Sequence, residues 1–104
     1  MVTNWTTAEL EEKLEKQPII ALYLYTPMCG TCQVAGRMLD VTSELLPSFP
    51  IGKMDLNFAP ELAEEYGVES VPCLLTMIDG ELHQKIYAFK SVPYLYEELK
   101  LISE

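Results

Sequence analysis

The sequence predicts an α/β domain, a central mixed β-sheet with helices on both faces. The run Ile19 to Tyr25 is continuously apolar, as a strand buried on both faces of a sheet is. Strand-like segments then alternate with segments of helical spacing, and strands separated by helices run parallel in one sheet. Asp79-Gly80 lies between two strand-like runs, a tight-turn sequence that adds an antiparallel edge.

The elements follow in order. Thr6-Thr7-Ala8-Glu9 has capping-box spacing, with Trp5 and Leu10 placed as its hydrophobic staple, so a helix is expected from Thr7 to Lys16. Leu10 and Leu14 should face inward, with Glu9/Lys13 and Glu12/Lys16 as outward pairs. Pro18 stops this helix and the strand Ile19 to Tyr25 follows. The next helix shows apolar residues at Val34, Met38, Val41 and Leu45 and should run to Leu46, before Pro47. Ile51 to Leu56 reads as a strand. Pro60 opens a short helix through Tyr66, and Gly67 suits its left-handed end. Val71 to Ile78 and Glu81 to Phe89 form the hairpin. Ser91 and Pro93 begin a last helix with Leu95, Leu99 and Ile102 toward the core. The expected order is α-β-α-β-α-β-β-α; Val2 to Trp5 has room for one more short strand.

One domain over residues 1–104 is expected, because 104 residues with 49% hydrophobic content suit a single core and no repeat divides the chain. The longest apolar run is too short to span a bilayer. No basic segment followed by an apolar core opens the sequence, so no secretory signal is expected and the cytoplasm is the expected compartment. Sixteen acids against seven bases give a net charge of −9, a field that repels nucleic acid. Most acids fall on the outer faces of the expected helices, where they keep the protein soluble.

The chemistry lies in Tyr25-Thr26-Pro27-Met28-Cys29-Gly30-Thr31-Cys32, a Cys-x-x-Cys pair where a strand ends and a helix begins. A thiol in the first turn of a helix meets unpaired N–H groups and the positive end of the helix dipole. Both favour thiolate, which is the nucleophile. Cys29, at the exposed cap, is assigned as the attacking thiol and Cys32, one turn deeper, as the resolving thiol. A metal site is the alternative. Structural zinc needs four ligands, and only Cys73 and His83 remain to complete them, without paired spacing. No metal is therefore expected.

Further along come Gly67-Val68-Glu69-Ser70-Val71-Pro72-Cys73-Leu74-Leu75 and Asp79-Gly80-Glu81. With the CGTC segment, this order resembles the thioredoxin family over nearly the whole chain. The resemblance implies a thioredoxin-like fold, β-α-β then β-β-α, and a dithiol that reduces or exchanges disulfides of client proteins. It implies no bound cofactor, electrons from a thioredoxin-reductase-type partner, and a monomer. It further implies a cis bond at Val71-Pro72 packed against the dithiol, Lys53 near the active site, and a client groove around Met28, Val71, Cys73 and Ala88. Gly30 and Thr31 shape the dithiol loop. Cys73 follows the proline where the family commonly has threonine, and a small buried thiol is the simpler reading.

Several positions depart from the family pattern. Met28 replaces a tryptophan, Thr31 a proline, Gly36-Arg37 a mid-helix proline, Ala88 a groove glycine. Tyr23 stands where a buried aspartate is usual beneath the dithiol. The alternative function is a binding module that uses the groove with little redox turnover; a resolving thiol serves no purpose in such a module.

Overall fold

The computed structural model describes residues 2–103. The elements are β1 (Thr3–Asn4), α1 (Thr7–Lys16), β2 (Ile19–Tyr25), α2 (Gly30–Leu45), β3 (Ile51–Asp55), a 3-10 turn (Leu56–Phe58), α3 (Glu61–Tyr66), β4 (Cys73–Ile78), β5 (Glu81–Ile86) and α4 (Val92–Ser103). The sheet order is β1-β3-β2-β4-β5; β1, β3 and β2 are parallel, while β4 and β5 are antiparallel additions. The short strand suspected at Val2 to Trp5 is β1.

Strand period places alternate residues of β2 on opposite faces. Ile20, Leu22 and Leu24 join Leu10 of α1 and Leu62 of α3 in one core. Ala21 and Tyr23 join Ala35 and Leu39 of α2 and Leu95 and Leu99 of α4 in the other. A continuously apolar strand is thus what a sheet covered on both faces requires.

Local signals behave as local physics dictates. The capping box forms: Glu9 N–H donates to Thr6 Oγ1 at 3.1 Å, and Thr6 N–H donates to Glu9 Oε1 at 3.0 Å. That bond occupies Glu9, and Lys13 Nζ instead sits 5.9 Å from the Trp5 ring centroid, so the expected Glu9/Lys13 pair does not form. The Glu12–Lys16 pair does, at 3.9 Å and exposed, where it contributes little. Asp79 and Gly80 both take positive φ, 52° and 81°, the geometry that matches a two-residue hairpin to strand twist.

Three strand boundaries shift. β3 stops at Asp55 because that carboxylate accepts Asn57 N–H at 2.9 Å and caps the 3-10 turn. β4 begins at Cys73 and not at Val71, because Pro72 has no N–H for the ladder. β5 ends at Ile86 for the same reason. Ile86 pairs with Leu74, and two steps on the partner position is the proline.

Helix α2 ends at Leu45, with Leu46 as its cap. The apolar residues that identify this helix are not its buried face. Cys32, Ala35, Leu39, Thr42 and Ser43 turn inward, whereas Val34, Val41 and Leu45 are about half exposed. Thr42 and Ser43 tolerate burial because their hydroxyls donate to the carbonyls of Met38 and Asp40, at 2.9 and 2.8 Å.

Candidate active site

β2 lifts the chain to the C-terminal edge of the sheet, and Thr26 to Met28 carry it into α2. Cys29 is the N-cap of that helix, with extended backbone (φ −92°, ψ 108°). Its Sγ accepts the Cys32 N–H at 3.1 Å and lies 3.2 Å from Thr31 Oγ1. Hydrogen bonding from the Cys32 side chain and then from the Thr31 hydroxyl holds the Cys29 pKa below that of an ordinary thiol, and the backbone amides of both residues add to this. Cys32 is shifted the other way: burial first, and then the neighbouring Cys29, push its pKa up. Both thiols are free, Cys29 partly exposed and Cys32 buried.

The third cysteine differs from both. Cys73 is fully buried, paired in register with Leu24, and burial pushes its pKa up to about 11. It faces the α1/α3 core, which corrects its expected place in the groove. Limited alkylation of the reduced protein near neutral pH should therefore label Cys29 first, Cys32 more slowly and Cys73 last, as thiolate fraction and exposure dictate. Equal labelling of Cys29 and Cys32 in a peptide map would contradict the asymmetry.

Two hollows flank the dithiol. On the Cys29 side the Val71-Pro72 bond is cis, and the Val71 carbonyl lies 3.9 Å from Cys29 Sγ. Pro72, Val34, Met38, Tyr87 and Phe89 line a largely apolar groove of about 420 Å³ there. On the Cys32 side a cleft of about 360 Å³ is bounded by Tyr23, Tyr25, Arg37, Asp40 and Lys53. Tyr23 forms part of its floor, and its hydroxyl donates to the Cys32 carbonyl at 2.5 Å. Burial, and next the adjacent Cys32, push the Tyr23 pKa above its ordinary value.

The other expected site residues fall as follows. Gly30 opens α2 with no atom near the position of a Cβ, so packing does not demand glycine there. Thr31 bonds the Cys29 sulfur. Met28 is 95% exposed at the rim. Lys53 is turned toward the Tyr25 ring, 5.9 Å from its centroid; the partners of Cys29 Sγ are the Thr31 hydroxyl, the Cys32 amide and the Val71 carbonyl. Ala88 is exposed, and its neighbours Tyr87 and Phe89 form the groove wall. Those two, with Val34 and Met38, are groove residues that sequence reading missed. The signal lay in Pro72: once the ladder ends there, Tyr87 to Phe89 leave strand geometry. Among the described residues, no three His, Cys, Asp or Glu side chains converge as a metal site.

Comparison with known proteins agrees with this geometry. A family model described as Thioredoxin matches residues 1–100. The chain is 48% identical over 82 residues to the thioredoxin-like protein YusE of Bacillus subtilis, covering 79% of this chain and 77% of that protein. It is 31% identical over 80 residues to thioredoxin of the same organism, covering 76% and 77% of the two chains. Among solved structures, a point-mutant thioredoxin from Halobacterium salinarum superposes with a TM-score of 0.86 at 22% identity, over 99% of this chain and 90% of that one. Oxidised thioredoxin from Plasmodium falciparum superposes at 0.81 with 14% identity, over 95% and 97%. With its dithiol at the start of α2 and its family match over nearly all residues, the chain belongs to the thioredoxin family.

Proposed function

We propose that the protein is a thiol–disulfide oxidoreductase that reduces disulfides of client proteins through Cys29 and Cys32. The observation that carries this reading is a pair of free thiols one helical turn apart, Cys29 at the N-cap of α2 accepting the Cys32 N–H at 3.1 Å and Cys32 buried behind it; their opposed pKa shifts, Cys29 down and Cys32 up, agree with it. The Cys29 thiolate attacks a client disulfide; its S–S bond breaks, one client thiolate leaves, and the other sulfur stays joined to Cys29. Cys32 then loses its proton and attacks Cys29 Sγ. The Cys29–Cys32 disulfide forms, the second client thiolate leaves, and two electrons have passed to the client. An extended client chain fits the groove beside the Val71 carbonyl, its apolar side chains against Pro72 and Phe89.

No bound cofactor takes part in this cycle. Re-reduction of the pair falls to an external dithiol of the thioredoxin-reductase type, in a reducing cytoplasm. No helix among the described residues is long and apolar enough to cross a membrane. Turnover, in preference to simple binding, is favoured because the resolving residue is held against the attacking sulfur, its amide 3.1 Å from Cys29 Sγ.

Cys32→Ser tests the reading with a disulfide-bonded test peptide. The variant should accumulate a covalent peptide adduct on Cys29. The unaltered protein should turn over with dithiothreitol as donor, and Cys29→Ser should fall to the rate of dithiothreitol alone. Reversible binding of the peptide without adduct would assign the binding-module function instead.

A further inference from the structure

Helix α2 buries Thr42 and Ser43 beside Cys32, Ala35 and Leu39, and leaves three large apolar residues on its outer side. Val34, Val41 and Leu45 are 51%, 48% and 55% exposed, while Thr42 and Ser43 are buried. Contiguous exposed apolar surface marks an interaction face. With Met38, these positions step by four, three and four residues, the a/d spacing of a coiled-coil seam. At 3.6 residues per turn they form a stripe roughly 60° wide. Arg37 and Glu44 lie one heptad apart along the same flank of that stripe. Among the described residues neither takes part in an ion pair.

We propose that this stripe pairs with a second copy of the chain, the two α2 helices antiparallel across a two-fold axis. The four-three-four spacing reads the same in both directions. A two-fold axis through the middle of the helix therefore sets Val34 against Leu45 of the second copy and Met38 against Val41 of the second copy. The same operation brings Arg37 toward Glu44 of the second copy, twice. This reciprocity in both apolar and charged positions is what selects a second copy over an unrelated helix.

The pairing is weak. Four partly exposed side chains fall short of the roughly 800 Å² per partner of a stable complex, and the net charge of −9 on each copy opposes approach. The proposal therefore expects a dissociation constant on the order of 0.1–1 mM, with pairing only in concentrated solution. Val34 and Met38 also line the groove beside Cys29, so a second copy and a client compete for that wall.

Sedimentation equilibrium on the reduced protein, with excess phosphine reductant to exclude disulfide-linked species, tests this directly. The mass should rise from 11.8 kDa toward twice that value as concentration approaches about 1 mM. Val41→Lys should weaken pairing at least about tenfold while leaving the far-UV circular dichroism unchanged. Arg37→Glu and Glu44→Arg should each weaken it about three- to tenfold, and the double variant should recover to within about twofold of the original. Glu44→Arg brings the net charge of −9 closer to zero, so general repulsion alone predicts that it strengthens pairing. A monomer at every concentration, a dimer indifferent to Val41→Lys, or tighter pairing in Glu44→Arg would each overturn the proposal.

Discussion

Gly52→Ala is expected to destabilise the fold by about 3 kcal/mol, near the upper end of overpacking costs. Gly52 lies in β3 beneath the indole of Trp5, and a Cβ there would overlap Cδ2, Cε2 and Cε3 of that ring. The ring is the bulky end of a side chain that is 8% exposed within the α1/α3 core. Its backbone N–H also donates to the Lys53 carbonyl at 3.0 Å, so the residue cannot move away as a unit. Either the indole swings out and loses its burial, or β3 separates from β1. For a domain of this size that cost corresponds to a melting temperature lower by about 10–20 °C. Trp5 is the sole tryptophan, so its emission reports the displacement without a label. Trp5→Ala removes the obstacle, and the Trp5→Ala/Gly52→Ala pair should be scarcely less stable than Trp5→Ala. A cost below about 1 kcal/mol for Gly52→Ala would show that the sheet yields easily at this point.

Resolution of the mixed disulfide is expected to be slow at neutral pH and to accelerate as pH rises. Cys32 must be deprotonated to attack Cys29, and burial holds its pKa up. The group beneath it is Tyr23, a phenol whose own pKa is raised by burial, so it is a poor acceptor near neutrality. Its hydroxyl is moreover committed as a donor to the Cys32 carbonyl. Tyr23→Asp places a carboxylate below the thiol and should shorten the lifetime of a Cys29 mixed disulfide at pH 7 about tenfold. Tyr23→Phe removes the hydroxyl alone and should keep the steep pH dependence. Tyr23→Asp should also cost about 3 kcal/mol of stability, since a ring packed between Tyr25 and Phe89 is lost and a buried acid gained. That acid has a raised folded-state pKa. Its penalty is therefore smallest below the unfolded value of about 3.9, grows as pH climbs, and is complete above the folded value. The measurement is adduct lifetime against pH, from about pH 6 to 9, in all three proteins. Coincident lifetimes for the unaltered protein and the Tyr23→Asp variant would assign the proton to another group or to water.

The dithiol was legible because its chemistry is local. A thiol that opens a helix meets free amides whatever the rest of the chain does, and Cys29 needs only Thr31 and Cys32 to be tuned. The capping box at Thr6, the hairpin at Asp79-Gly80 and the left-handed end at Gly67 are legible for the same reason. The groove was less so. Its walls come from α2, the segment before β4 and the segment after β5, and no local pattern announces which of their side chains will meet.

What the sequence determined by itself are the short-range features: element order, caps, turns and the position of two thiols on one helical turn. Their energies arise between residues a few positions apart, so they can be read without knowing the fold. Only the tertiary structure decided which face of α2 is buried, that Gly52 must be glycine under Trp5, and that Cys73 belongs to the core and not to the groove. The apolar spacing in α2 says that a helix forms, but the choice of inward face belongs to the sheet and to α4. Thr42 and Ser43 can turn inward because their hydroxyls bond back to their own helix, leaving Val34, Val41 and Leu45 facing water.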